Sequence, residues 1–175
     1  MADLSEPRVV AVGGPTASGK TALSVALAKT FDGEIINADS MQLYKGLDIG
    51  TAKPSPEEQQ GIPHHLLDFL PPETAYSVAD FTAAADPLIR EISGRGRLPF
   101  VVGGTGLYIT SLLNGMSFAP EKTDPAIRAR LQAQADAGDG AALYARLQQI
   151  DPDYAALVHP NNLPRVIRAL SLIHI

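Results

Sequence analysis

The chain has 175 residues, 45% hydrophobic and 19% charged, with a formal net charge of −5. This composition suits one α/β domain with a packed core and excludes a disordered or fibrous chain. Cysteine is absent, which excludes disulfides and thiolate metal sites. No apolar run reaches the roughly 20 residues of a membrane span, and Met1 to Arg8 carries no signal-peptide core, so a cytoplasmic protein with no membrane partner is expected.

The first predicted element is a buried strand at Val9-Val10-Ala11-Val12. It runs into Gly14-Pro15-Thr16-Ala17-Ser18-Gly19-Lys20-Thr21, which matches the phosphate-loop pattern G-x-x-x-x-G-K-[ST] at every fixed position. Leu23, Ala26, Leu27 and Phe31 then recur at helical spacing and predict a helix with an apolar stripe. Strand, glycine loop and helix N-terminus together form an anion site, because free N–H groups and the helix dipole point to one place. Gly14 to Thr21 are therefore the expected phosphate-binding residues, with Lys20 reaching the outer phosphates and the Thr21 hydroxyl holding magnesium. A glycine turn that merely joins strand to helix is the bland alternative, and the flanking pattern disfavours it.

Glu34 to Ser40 reads as a second strand ending in polar residues, which puts Asp39 at the same sheet edge as the loop. From Tyr44 to Tyr76 the chain is punctuated by Pro and Gly, as functional connections often are. Within it, His64 and His65 are adjacent, which points their rings apart. They are read as loop-packing or substrate-loop residues rather than a metal pair. Ser77-Val78-Ala79-Asp80 has capping-box form and opens a helix to about Ser93, with a bend expected at Pro87. Leu98 to Val102 is the third strand. It enters Gly103-Gly104-Thr105-Gly106 and a helix from Leu107 to Leu113.

Beyond Pro120 the pattern becomes helical. Asp124 with Pro125 forms a helix start and Gly138 a stop, and Ala141 to Ile150 and Pro164 onward also read as helices. Leu143, Leu147 and Ile150 form a core stripe, Arg128 and Arg130 are solvated helix charges, and His159 is a turn residue. Up to Pro120 there are eight basic and thirteen acidic residues, and afterwards six of each. Any nucleic acid should therefore lean on the later part and on the phosphate site. The expected fold is α/β: a P-loop NTPase-like parallel sheet flanked by helices over 8–119, then a helical segment over 120–175.

A phosphate loop alone does not select a chemistry. Asp39 is the one carboxylate aimed at the crevice, where it can act as general base for a nucleophile beside a polyphosphate, unless it serves only as a turn or cap aspartate. The loop motif is followed by Ala38-Asp39-Ser40-Met41-Gln42-Leu43-Tyr44, Asp48-Ile49-Gly50-Thr51-Ala52-Lys53-Pro54 and Pro63-His64-His65-Leu66-Leu67-Asp68. Then come Gly103-Gly104-Thr105-Gly106-Leu107-Tyr108 and His159-Pro160-Asn161-Asn162. In this order they resemble the tRNA dimethylallyltransferases over residues 8 to 170.

The resemblance implies transfer of a dimethylallyl group from its diphosphate to the exocyclic amine of an adenosine beside the anticodon of tRNA. It implies that the loop from Thr16 to Thr21 holds the donor diphosphate with Mg2+ and that Asp39 takes the amine proton. Lys20 stabilises the leaving group, Ser40, Met41 and Gln42 contact the extruded base, and Thr105 lines the channel where donor and acceptor meet. Arg165 and Arg168 match the family's tRNA-contacting stretch, Pro164-Arg165-Val166-Ile167-Arg168. Family chains are longer, and Ser171 to Ile175 depart from the family pattern, so the chain is expected to be truncated, and also to be a monomer. A transferase acting on free adenine nucleotides, a small-molecule kinase and a non-catalytic nucleotide-binding module are the competing readings.

Overall fold

The structure, a computed structural model, describes residues 7–116 and 124–172. The expected boundary at Pro120 and the end of the tail, residues 173–175, lie outside the described residues. The chain divides into two compact units, Met1–Ser117 and Phe118–Ile175.

The first unit is built on four parallel strands: β1 (Val10–Gly13), β2 (Gly33–Asn37), β3 (His64–His65) and β4 (Leu98–Gly103), in the spatial order β1-β4-β2-β3. All strands point the same way, so the loops after β1, β2 and β4 emerge at one edge. In β2 the register sends alternate side chains to opposite faces. Ile35 joins Phe100, Val102, Val25 and Ala28 on one face, and Ile36 joins Val101, Phe81, Ile89 and Tyr108 on the other. Burying such side chains contributes about 1.5–3 kcal/mol each.

Helix α1 (Lys20–Thr30) covers the first face. Its packing residues are Ser24, Val25 and Ala28, whereas Leu23 and Phe31 are more than half exposed. The expected stripe of Leu23, Ala26, Leu27 and Phe31 is thus corrected in part: Leu27 packs against this core, whereas Leu23, Ala26 and Phe31 are exposed and Ser24, Val25 and Ala28 face the sheet in their place.

Helix α2 (Pro56–Gln59) is a single turn held by a Ser55–Glu58 capping box. Helices α3 (Val78–Gly94) and α4 (Gly106–Leu113) cover the other face. The Ser77 cap forms as expected: its hydroxyl accepts the Asp80 N–H, and the Asp80 carboxylate accepts the Ser77 N–H. Pro87 lies inside α3, which continues through it. The long connection folds back on itself, with Gln42 to Lys45 bonded through the backbone to Asp68 to Leu70.

The second unit contains α5 (Pro125–Asp136), α6 (Gly140–Ile150), α7 (Pro152–Leu157) and α8 (Leu163–Leu172) around Leu131, Leu143, Leu147, Val166 and Leu170. Asp124 caps α5 through the Ala126 N–H at 2.9 Å. Ile150 is 43% exposed and lies outside the expected core stripe. Among the described residues no helix is long and apolar enough to cross a membrane.

Candidate active site

A cleft of about 410 Å³ opens where the loops after β1 and β2 meet the connection from Gln42 to Leu67. One wall is the phosphate loop from Thr16 to Thr21, and Asp39, Gln42 and His64 also face the space. Ala17 and Gly19 are both left-handed, with φ of 63° and 80°. Such turns curl successive N–H groups around a concavity that accepts anions. Gly19 adopts this conformation freely, whereas for Ala17 it costs of order 1–3 kcal/mol. Ala52 and Gln60 are left-handed too and line the same cleft, and left-handed Leu66 and Asp68 flank its Leu67 wall. Strained backbone gathered around one space is the pattern of a functional site.

Helix α1 begins with no side-chain cap and no acidic residue in its first turn. Its first N–H groups and its dipole are left for an incoming anion. Lys20 folds back, its Nζ donating to the Pro15 carbonyl at 2.6 Å. A bound diphosphate would compete for that ammonium.

Asp39 divides its two oxygens. Oδ1 accepts the Met41 N–H at 3.0 Å and caps the turn that follows. Oδ2 has no hydrogen-bond partner among the described residues. The turn-aspartate role and an open carboxylate therefore coexist in one side chain.

Gln42 donates its amide N–H groups to the carbonyls of Thr51 and Ala52 at 3.0 and 3.1 Å. Both donors are committed to the loop, so Oε1 is the group it can offer a guest. Thr105 caps nothing with its side chain. Its hydroxyl accepts the Ser40 N–H at 2.9 Å and donates to the Ser40 hydroxyl at 3.1 Å. Thr105 and Ser40 thus brace each other outside the cleft lining, which Gly14 and Pro15 also do not join, and Met41 is 49% exposed.

The histidines separate. His64 Nδ1 donates to the Ile62 carbonyl at 2.8 Å, which leaves Nε2 an acceptor. Burial pushes its pKa down, against the Ile62 carbonyl, and the neighbouring His65 adds to the fall. His65 instead contacts the buried Glu34 at 2.6 Å.

Lys53 does not line the cleft but holds together the connection that does. Its ammonium donates to Asp48, Asp68 and the Tyr44 carbonyl at 2.7, 2.6 and 2.7 Å, tying two motifs into one loop. Burial opposes its charge, but the two carboxylates outweigh burial and hold its pKa above the ordinary lysine value.

In the second unit Pro164, Arg165 and Arg168 are exposed on α8. Val166 and Ile167 are 0% and 3% exposed within that unit's core. Their side chains pack inward, so Pro164, Arg165 and Arg168 are the members of that stretch that face solvent.

Magnesium keeps most of its waters and takes few protein ligands besides phosphate oxygens. The cleft supplies the Thr21 hydroxyl beside the N–H groups of the loop, and no cluster of three metal-ligating side chains exists among the described residues. These residues fit an ion held mainly by diphosphate and water.

A parallel sheet with this loop after its first strand, opening a helix at the shared edge, defines a phosphate-binding P-loop-type α/β fold. The family model for IPP transferase matches residues 42–175. The tRNA dimethylallyltransferase of Anaeromyxobacter sp. (strain K) is 54% identical over 165 residues, covering 94% of this chain and 54% of that protein. The crystal structure of the full-length tRNA isopentenylpyrophosphate transferase from Bacillus halodurans is similar, with 50% identity and a TM-score of 0.65 over 97% of this chain and 56% of that one. A eukaryotic dimethylallyltransferase acting on tRNA shows 35% identity and a TM-score of 0.77 over 93% of this chain and 40% of its own. The chain belongs to the IPP transferase family, and it spans about half the length of the curated relatives it matches.

Proposed function

We propose that the chain takes part in transfer of a dimethylallyl group from dimethylallyl diphosphate to the exocyclic amine of an adenosine next to the anticodon in tRNA, releasing diphosphate. The observation that carries this reading is that Asp39 and the phosphate loop line one cleft in a member of this family.

An adenine amine is a weak nucleophile because its lone pair is delocalised into the ring. As the nitrogen attacks the donor's first carbon, the carbon–oxygen bond breaks and its electron pair leaves with the diphosphate. The amine proton passes to Asp39 Oδ2, the oxygen without a partner. Lys20 and the N–H groups of Thr16 to Thr21 stabilise charge on the departing diphosphate. Magnesium, held by Thr21 and phosphate oxygens, would neutralise further charge there.

Gln42 Oε1 accepts the second N–H of the base amine, and Ser40 and Met41 border the base. Thr105 holds Ser40 in place. The base must leave its stack to enter a cleft, which costs least in a single-stranded loop. Arg165 and Arg168 serve RNA phosphate from the second unit. The lack of cysteine agrees with a reducing, cytoplasmic setting, and we read the protein as a monomer.

The test is incubation of the protein with labelled dimethylallyl diphosphate, magnesium and either unmodified tRNA or AMP, followed by nucleoside analysis. Prenylated adenosine from tRNA alone is expected. Label in AMP would replace this reading with a nucleotide transferase. ATP consumption without the donor would replace it with a kinase, and binding of diphosphate without any transfer would leave a binding module.

A further inference from the structure

Strand β4 ends at Gly103 and is followed by Gly104, two glycines whose missing side chains matter for different reasons. A Cβ at Gly103 would lie 2.1 Å from the Ala38 carbonyl oxygen, so this residue is glycine because β2 and β4 approach closely. At Gly104 a Cβ would have just two neighbours within 4 Å, Asp39 Oδ2 at 3.2 Å and the Gly14 carbonyl oxygen at 3.6 Å. Gly104 is exposed and its φ is not in the left-handed region, so neither backbone nor packing demands glycine there.

Asp39 Oδ1 is held by the Met41 N–H at 3.0 Å, so a displacement of the carboxylate would strain that hydrogen bond. A side chain at Gly104 would therefore meet the free oxygen on one side and the Gly14 carbonyl, at the start of the phosphate loop, on the other. We propose that Gly104 is a positioning residue for the transfer reaction: its bare α-carbon leaves Asp39 Oδ2 uncovered and aimed beside the phosphate loop. This rests on the reading of Asp39 as the proton acceptor. A methyl group at 3.2 Å would shift the carboxylate by a few tenths of an ångström and cover one side of it. Displacements of that order in a reacting group reduce rate with little effect on ground-state binding.

The test is Gly104→Ala in the full chain, alone and combined with Asp39→Ala. Alone, it should lower kcat roughly 10-fold while KM for dimethylallyl diphosphate and Tm stay unchanged. In the Asp39→Ala background it should cost nothing further, because the group it acts through is gone. A crystal structure of Gly104→Ala should show the Asp39 carboxylate displaced.

An unmoved carboxylate, an equal loss in both backgrounds, or a variant that fails to fold would each overturn the proposal. Normal turnover by Asp39→Ala alone would instead remove the base assignment. The crystallographic arm would still decide whether Gly104 controls the carboxylate.

Discussion

The hydroxyl of Thr105 accepts the backbone N–H of Ser40 at 2.9 Å and returns its own hydrogen to the Ser40 hydroxyl at 3.1 Å. One side chain at the end of β4 thus closes the turn that follows Asp39, 65 residues away in sequence. Backbone bonds from Ala38 to Val102 and from Thr105 to Ala38 reinforce the junction.

Thr105→Val keeps the shape of the side chain and loses both hydrogen bonds. An unpaired, partly buried N–H costs about 1–3 kcal/mol. Thermal unfolding should show that loss, and turnover should fall with it. Thr105→Ser, which keeps the hydroxyl, should restore most of both.

Lys53 should govern the connection from Tyr44 to Asp68. Lys53→Met removes the ammonium that Asp48 and Asp68 share, and should destabilise the protein by roughly 1–2 kcal/mol because both carboxylates are half-exposed. Donor KM should rise, since Ala52 and Leu67 on this connection line the cleft. The folded pKa is raised, so the contribution is complete below the ordinary value of 10.5 and fades only as pH climbs through the folded value. The stability gap between the two proteins should therefore be flat across neutral pH.

Away from the cleft, Glu34 is 3% exposed and bonded to His65, Arg95 and Arg97 at 2.6, 2.8 and 2.9 Å. Burial alone would raise its pKa, but His65 and the two guanidinium groups outweigh it and hold the carboxyl below the usual glutamate value of 4.5. Glu34→Gln should cost roughly 2–3 kcal/mol by leaving those cations without their anion. A depressed carboxylate contributes fully above its unfolded value and loses that contribution as pH falls through the folded one. The gap between the unfolding midpoints of the two proteins should accordingly be constant above about pH 4.5 and close only as pH falls below it.

At Gly103 the prediction is simpler. Alanine there would drive a methyl group into the Ala38 backbone, so Gly103→Ala should fail to accumulate as folded protein, whereas Gly104→Ala should not. Circular dichroism and expression yield would separate them.

Much of this architecture could be read from the chain before its structure. The loop from Gly14 to Thr21, the Ser77 cap and the Asp124-Pro125 helix start are local signals, and local hydrogen bonds realise them. Two elements had the same kind of signal and went unread: Ser55-Pro56-Glu57-Glu58 is a capping box with Pro at the first helical position, and Asp151-Pro152 repeats the Asp124-Pro125 pattern. Strand β3 is two residues long and exists only because Ile35 and Ile36 offer an open edge, which no local pattern reveals.

The site followed the same division. The position of Asp39 beside the phosphate loop was legible from its place after a strand. The role of Lys53 was not, since it depends on partners 5 and 15 residues away that only the folded loop brings together. The buried positions of Val166 and Ile167 likewise follow from the phase of α8 against its neighbours, which a motif match cannot supply.

The most direct test of the central claim is turnover by Asp39→Ala with tRNA and dimethylallyl diphosphate, measured beside its affinity for diphosphate. Removal of the proton acceptor should cost at least roughly 100-fold in rate, while the loop around Lys20 keeps its grip on diphosphate. Near-normal turnover by the variant would contradict the account.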